Sequence, residues 1–338
     1  GEIRVLPVAS NLQLEAPDAT VDLIRTDLPD ASGGGRQRAL HEDFSSMWPL
    51  QMSFGEKTTN ILFFILVLIV FGILVGPVNL FVFAKAGRRH RLFITTPLIS
   101  LGASLLLIIL ITFQAGFGGR GLRAVLMEVQ PGPSENAAYI SQEQIARTGV
   151  LLNTEFKTGE TGLLSPVLIE ESRWARITED NDGGQARYTV DLEEDGMRRA
   201  GCWFQSRSEH GHLFETIVPT RGRISLVQDS PAPVITSTFE FPLTELWYRD
   251  PAGELWRAEG VTQGRNVTLS PSADPAAFDR WINGESIRFV PRNQQRLQKG
   301  RTRRDHFFAS TDDAEGIPTL HSINWQGTRT VITGPVSR

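Results

Sequence analysis

The sequence predicts a membrane-anchored α+β chain: a two-helix transmembrane hairpin joined to a mostly antiparallel, sandwich-like all-β domain outside the membrane. Three observations predict it. Ile61–Ala84 and Leu92–Phe113 are uncharged apolar runs of 24 and 22 residues. The seven residues between them, KAGRRHR, carry four Lys or Arg and no acid. From about Gly119 onward, short stretches rich in β-branched and aromatic residues alternate with turn signals. At about 1.5 Å of rise per residue, each apolar run exceeds the roughly 30 Å of a bilayer's hydrocarbon core. A pair of buried core helices would be shorter and would carry a polar face, which neither run has.

The chain's averages conceal this division. With 338 residues, 41% hydrophobic content and a formal charge of -4, the mean composition is that of a soluble protein of about two domains. Thirty-four basic against thirty-eight acidic residues provide no global positive field, which excludes nucleic acid as an expected partner. The single cysteine, Cys202, cannot close an internal disulfide.

Taken in order, residues 1–57 form an exported N-terminal segment with strand-like pieces IRVLPVA and ATVDLIRT and a linker-like Gly33–Arg38 stretch. The segment starts at Gly1 and shows no signal-peptide pattern, so it is expected to be the tail of an upstream domain in a longer, processed precursor. Residues 58–116 form the hairpin, with 85–91 as its cytoplasmic turn. Lys85, Arg88, Arg89 and Arg91 fix that orientation by the positive-inside bias and send both termini out of the cytoplasm. On antiparallel helices the residues at equal depth have numbers summing to about 176. Gly72 then faces Ser104 and Gly76 faces Ser100, small residues that allow close backbone approach. Pro77 frees a carbonyl one turn earlier. Asn79 lies level with Thr95, Thr96 and Pro97, where a threonine hydroxyl would satisfy its amide.

Residues 117–338 form the extracytoplasmic β-rich domain. Gly116, Gly118 and Gly121 spell G-x-G-x-x-G, but they follow an apolar span rather than a strand and read as a flexible exit linker. Strand candidates are Ala186–Leu192, Arg198–Ser206, His212–Val218, Arg223–Val227, Val234–Phe241, Leu243–Arg249, Glu254–Gly260 and Arg265–Ser270, separated by turns such as Asp195-Gly196 and Asp250-Pro251-Ala252-Gly253. Asp274-Pro275 predicts the N-terminus of one helix carrying Phe278, Trp281 and Ile282 on a single face. HFFAS, LHSINW and TRTVITG then return the chain to β structure.

Chemistry-bearing motifs are sparse. His210-Gly211-His212 places two imidazoles on one strand face but lacks a third ligand at metal spacing, which favours turn histidines. Asp180-Asn181-Asp182-Gly183 misses the calcium-loop offsets and reads as a solvated turn. Neither a G-x-S-x-G nor an S-x-x-K motif occurs, and Cys202 reads as a small buried hydrophobe. No catalytic, cofactor-binding or metal-binding residue is assigned, and no cofactor is expected. The basic run Arg288, Arg292, Arg296, Lys299, Arg301, Arg303 and Arg304 is either a solvated face or a contact for anionic headgroups or an acidic partner. Seven tryptophans, including the pair Trp247 and Trp256 that flank a turn, favour core packing over a carbohydrate platform.

The segment GILVGPVNLFVFAKAGRRHRLFITTPLISL, Gly72–Leu101, resembles a pattern in uncharacterised bacterial envelope membrane proteins. These place Gly-Pro-x-Asn late in one helix, follow it with a basic turn, open the next helix with Thr-Pro and continue into an exported β-rich domain. The resemblance implies the bacterial inner membrane and an extracytoplasmic domain. It implies no activity. The expected function is a non-enzymatic envelope protein whose outer domain binds other envelope or membrane proteins, beside the lipid bilayer itself. The alternatives are an anchored glycan- or peptidoglycan-binding module and an enzyme subunit completed by a missing domain or partner.

Overall fold

The computed structural model describes residues 40, 43–44, 48–55, 61–83, 92–132, 135–159, 161–170, 172, 174–175, 188–229 and 231–338. The N-terminal segment through residue 39, the basic turn with Lys85, Arg88, Arg89 and Arg91, and the Asp180–Gly183 motif lie outside the described residues.

Helix α1 (Pro49–Phe54) precedes the two apolar elements. Helix α2 (Ile61–Ile73) runs on as a π-helix over Leu74–Phe83, and α3 spans Leu92–Ala115. Both apolar helices are long and apolar enough to cross a membrane, and neither is packed inside the β-rich body. Leu62 and Phe93 are 78% and 85% exposed, so the body does not supply the cover that these side chains need in water.

The wide π turns surround Pro77, whose missing N–H breaks the α-helical ladder. Within that stretch Asn79 Nδ2 donates to Thr96 Oγ1 at 2.9 Å, and Asn79 is fully buried. The depth register expected from the connecting turn therefore holds at this pair. The small-residue seam does not. A Cβ on Gly72 or Gly76 would meet nothing within 4 Å, so these glycines do not carry close backbone approach to Ser100 and Ser104.

The body is built on a nine-stranded sheet. Its strands are β1 (Gly119–Gln130), β2 (Asn136–Thr148), β4 (Gly162–Val167), β7 (Glu209–Thr220), β10 (Leu243–Arg249), β11 (Leu255–Val261), β13 (Ser270–Pro271), β14 (His306–Thr311) and β15 (Ile323–Pro335). Their order is β13-β11-β10-β14-β15-β1-β2-β7-β4. All neighbours are antiparallel except β1 and β15, which run parallel at the centre. Among the described residues, two three-stranded sheets accompany it: β3 (Phe156–Thr158), β5 (Tyr188–Glu193) and β6 (Gly196–Gly201) form one, and β8 (Ile224–Gln228), β9 (Val234–Ser237) and β12 (Asn266–Thr268) the other.

Side chains alternate across the large sheet and build a different core on each face. On one face Leu126, Leu213 and Val331 pack with Phe289, Val290 and Leu297 from the entry and length of α5 (Pro291–Gly300). On the same face Trp247 and Phe308 pack with Phe278 and Ile282 of α4 (Pro275–Ser286). The opposite face is covered by the small sheets. Phe156 and Phe204 lie on Phe214 and Leu164, while Ile224 and Ile235 lie on Leu246, Phe307 and Ile332. The result is a mixed sheet between a helical layer and a layer of small sheets, rather than the expected all-β sandwich.

Several elements follow the sequence reading closely. Strand β10 matches, and α4 starts as expected, with Asp274 Oδ1 accepting from Ala276 N at 2.8 Å and proline at the first position. Two corrections fall at the start of the domain. Gly116 and Gly118, with φ of 71° and 77°, flank a β-bridge between Phe117 and Val150 rather than a loose linker: Gly118 N donates to Val150 O and Val150 N to Gly116 O. Gly119 and Gly121 already belong to β1. The run Arg198–Ser206 is strand only to Gly201.

Asn79→Leu should loosen the helix pair, an interhelical hydrogen bond of this kind being worth roughly 1 kcal/mol. Disulfide trapping between cysteines introduced near positions 79 and 96 of the detergent-solubilised chain should become less efficient than in the Asn79 background.

Candidate functional site

The clearest concentration of buried polar groups lies where the segment leading into the apolar helices meets the sheet. Strand β2 carries Ser141, Gln142, Glu143 and Gln144 in succession, all fully buried, so polar side chains enter both faces. Glu143 points to the helical face. Its Oε2 accepts from Trp48 Nε1 at 3.1 Å, and its Oε1 accepts from Val290 N at 3.0 Å and Asn293 Nδ2 at 2.8 Å. Val290 is the N-cap residue of α5, where a carboxylate also meets the positive end of the helix dipole. One carboxyl group thus joins β2, α5 and the residue preceding α1.

Burial opposes the charged form of Glu143, and the donors Asn293, Val290 and Trp48 favour it. Burial prevails, with a smaller contribution in the same direction from Asp43, and pushes the carboxyl up to about 7. The group therefore titrates near neutrality while fully enclosed.

Further contacts hold the same segment. Arg147, buried on β2, donates through Nη2 to Gly55 O at 2.8 Å and through Nε to Glu209 Oε1 at 2.6 Å, and Glu209 also accepts from Ser172. Its guanidinium lies 4.8 Å from the ring centroid of Phe54. Gln51 Nε2 donates to Glu170 O at 2.7 Å. Leu40, Phe44, Trp48 and Leu50 all belong to the core that contains Leu126 and Leu213. Gly211 makes room for this docking, because a Cβ there would stand 2.9 Å from the Trp48 ring. Leu40, Phe44 and residues 48–55 are thus integral to the body, while residues 56–60 and 116–118 connect it in sequence to the apolar helices.

The histidines do not lie in a turn: both are buried on β7. His210 and His212 stack at 6.2 Å with 14° between their planes. His210 Nε2 accepts from Gln205 N at 2.9 Å, and His212 Nε2 lies 3.0 Å from Trp203 O, so both rings hold the 202–208 loop against β7. Burial and then neighbouring His210 lower His212 to about 3, leaving a neutral ring. Cys202 lines the same small cavity with Tyr188. Among the described residues, no group of three or more His, Cys, Asp or Glu is arranged to hold a metal ion.

The basic run is divided. Arg288 precedes α5, which begins at Pro291, so of these three residues spaced four apart the helix carries Arg292 and Arg296 but not Arg288. Arg292 Nη2 pairs with Glu215 Oε1 at 2.8 Å, while Arg296 pairs with Glu128 and lies 4.0 Å from the Tyr139 ring centroid. Arg288 approaches Glu285 at 3.4 Å, Arg301 reaches Asp279 at 4.0 Å, and Arg304 Nη1 donates to Pro251 O at 3.3 Å. Lys299 and Arg303 are exposed. The paired carboxylates offset much of the charge that the bare sequence displays.

All seven tryptophans are buried or half-buried. Trp247 lies opposite Arg257 and packs on Phe278, whereas Trp256 lies opposite Tyr248, so the two indoles occupy different faces. No protein-family model matches the chain, and no curated protein does.

The folded carboxyl of Glu143 sits above its ordinary value of 4.5, so the folded chain retains a proton that the unfolded chain has released. This group's contribution to stability falls as pH rises from about 4.5 through 7. His212 works oppositely: it favours the fold above its ordinary value and withdraws that contribution as pH falls. Comparing variants separates the two. Relative to the parent chain, Glu143→Gln should gain thermal stability between about pH 5 and 8, while the His212 component is common to both.

Proposed function

We propose that this chain is a non-enzymatic membrane protein of the bacterial envelope. The apolar helices anchor it in the inner membrane, the basic turn lies in the cytoplasm, and the β-rich body stands outside as a platform for assembly with other envelope or membrane proteins. The observation that carries this reading is the double attachment of the body to the helix pair. Leu40, Phe44, Trp48 and Leu50 enter its core ahead of the first apolar helix, and β1, a central strand, begins four residues after the second ends.

Attachment on both sides has a mechanical consequence. Five residues on one side and three on the other give little reach, since an extended chain covers at most about 3.5 Å per residue. A body tethered twice by such short connections stays near the surface in which its helices lie. It also resists swivelling, because its central sheet and not a loose edge bears the connections. Those properties suit a fixed docking platform better than a domain that searches at the end of a linker. The exposed apolar side chains Leu152, Leu192, Ile217 and Ile287 supply candidate contacts on the body's surface.

Single cysteines introduced in the basic turn and at the C-terminus provide the direct test in intact cells. The C-terminal cysteine should react with a membrane-impermeant maleimide, and the turn cysteine should react only after permeabilisation. In-cell crosslinking followed by gentle solubilisation should recover the same envelope protein reproducibly. Labelling of the turn in intact cells would overturn the orientation. Absence of any recurrent crosslinked partner would overturn the platform role.

A further inference from the structure

Next to α1, the large sheet leaves a gap. Strand β15 pairs with β1 from Ile323, but β14 joins its other side only from Thr330 onward. A cleft of about 520 Å³ opens beside Trp325–Arg329, between that free edge, the Asp312–Glu315 loop and Leu50 and Ser53 of α1. Arg123 lines it.

Arg123 is placed with unusual structural support. Its guanidinium lies 3.9 Å from the ring centroid of Trp325. A Cβ on Gly121 would stand 2.4 Å from the indole, so this position on β1 must remain bare for the ring to lie across it. On the other side, a Cβ on Gly316 would stand 3.0 Å from Arg123 Cδ and 2.5 Å from Gln142 Oε1. Gln142 fixes that loop by accepting from Ile317 N at 2.7 Å and donating to Ile317 O at 3.0 Å. Two glycines and a buried glutamine therefore hold one cation in place.

Two donors of that cation lack acceptors. Arg123 is only 7% exposed, and neither Nε nor Nη2 has a partner. Burial lowers it to about 10 while Glu315 acts in the opposite direction, so it remains charged at neutral pH. The other cleft arginines are compensated: Arg329 pairs with Glu285 and Asp312, and Arg288 lies near Glu285. A desolvated guanidinium with unpartnered donors favours an oxyanion that reaches it from the cleft.

We propose that this cleft is a binding site for a phosphodiester monoanion, with Arg123 as the anion-binding residue and Trp325 as its platform. The exposed acids Asp313 and Glu315 on the rim disfavour a dianion, which selects a diester over a phosphate monoester. Leu50, Leu122 and Ala124 line room for apolar substituents beyond the charged group. The preference for phosphodiester over carboxylate rests on the proposed membrane setting, where phospholipid headgroups are the concentrated source. The anion site itself does not depend on that setting.

The test uses the full chain in a non-ionic, phosphate-free detergent. Glycerophosphoglycerol is titrated by calorimetry, and native mass spectrometry measures retention of short-chain phosphatidylglycerol against diacylglycerol of the same chain length. At least one phosphodiester probe should bind saturably, with diacylglycerol failing to replace it. Binding of the soluble probe would identify the headgroup chemistry as sufficient, whereas binding of the lipid alone would identify the bilayer lipid as the ligand. Arg123→Gln should weaken binding by about tenfold or more with the circular-dichroism spectrum retained. Glu315→Gln, at an exposed position, should tighten it and supplies the decisive variant if Arg123→Gln does not fold. The proposal is overturned if neither phosphodiester binds, if octanoate displaces them at lower concentration, or if Glu315→Gln leaves affinity unchanged. A correct topology result combined with failed binding would remove this site alone, while binding of the soluble probe combined with a failed topology result would remove the membrane setting alone.

Discussion

The Glu143 carboxyl group is the constraint around which the junction is organised. A fully buried acid is tolerated only where donors surround it, and here they come from an indole, a backbone N–H and an amide on separate elements. Each donor must arrive in position for the others to be worth making. The approach of Trp48 fixes the residues that lead into α1, and Val290 with Asn293 fixes the start of α5 on the sheet. Gly211 leaves space for the indole, and Arg147 holds the end of α1 through Gly55. The path of the chain toward the first apolar helix is therefore set by polar geometry, with apolar packing from Phe44 and Leu50 around it.

The parallel β1–β15 pair extends that organisation across the body. Its two strands are separated by most of the domain's sequence, so the first strand after the apolar helices is paired with the last strand of the chain. Intervening segments add antiparallel strands on both sides and cover the two faces with unlike layers. One consequence is the gap beside β15, because β14 reaches only its later half. The central pair thus ties the attachment to the helix pair and the Arg123 cleft to the same strands.

The arginines differ in ways that charge counting does not reveal. Arg292 and Arg296 stand in a conspicuous basic run, yet each is matched to a sheet carboxylate. Arg123 stands in the unremarkable sequence GLRAVL and is stacked and enclosed, with two donors lacking acceptors. Position in the fold, and not local density of positive residues, determines which cation has unmet electrostatic demand.

The two apolar helices, the Asn79–Thr96 level, the α4 cap and many of the later strands can be read from the residues alone. These depend on local composition, spacing and turn chemistry. The sequence did not expose β1 and β2 as strands of the large sheet; in β2, Ser141–Gln144 bury polar groups on both faces and erase the usual period of two. Nor did it distinguish Glu143 from the other acids or Arg123 from the other bases. Tertiary structure decided those roles by bringing Trp48, Val290 and Asn293 to one carboxyl, and Trp325, Gly121 and Gly316 around one guanidinium. Desolvation and hydrogen-bond accounting depend on neighbours far apart in the chain, so only their meeting in the fold separates a solvated charge from one with a defined chemical task.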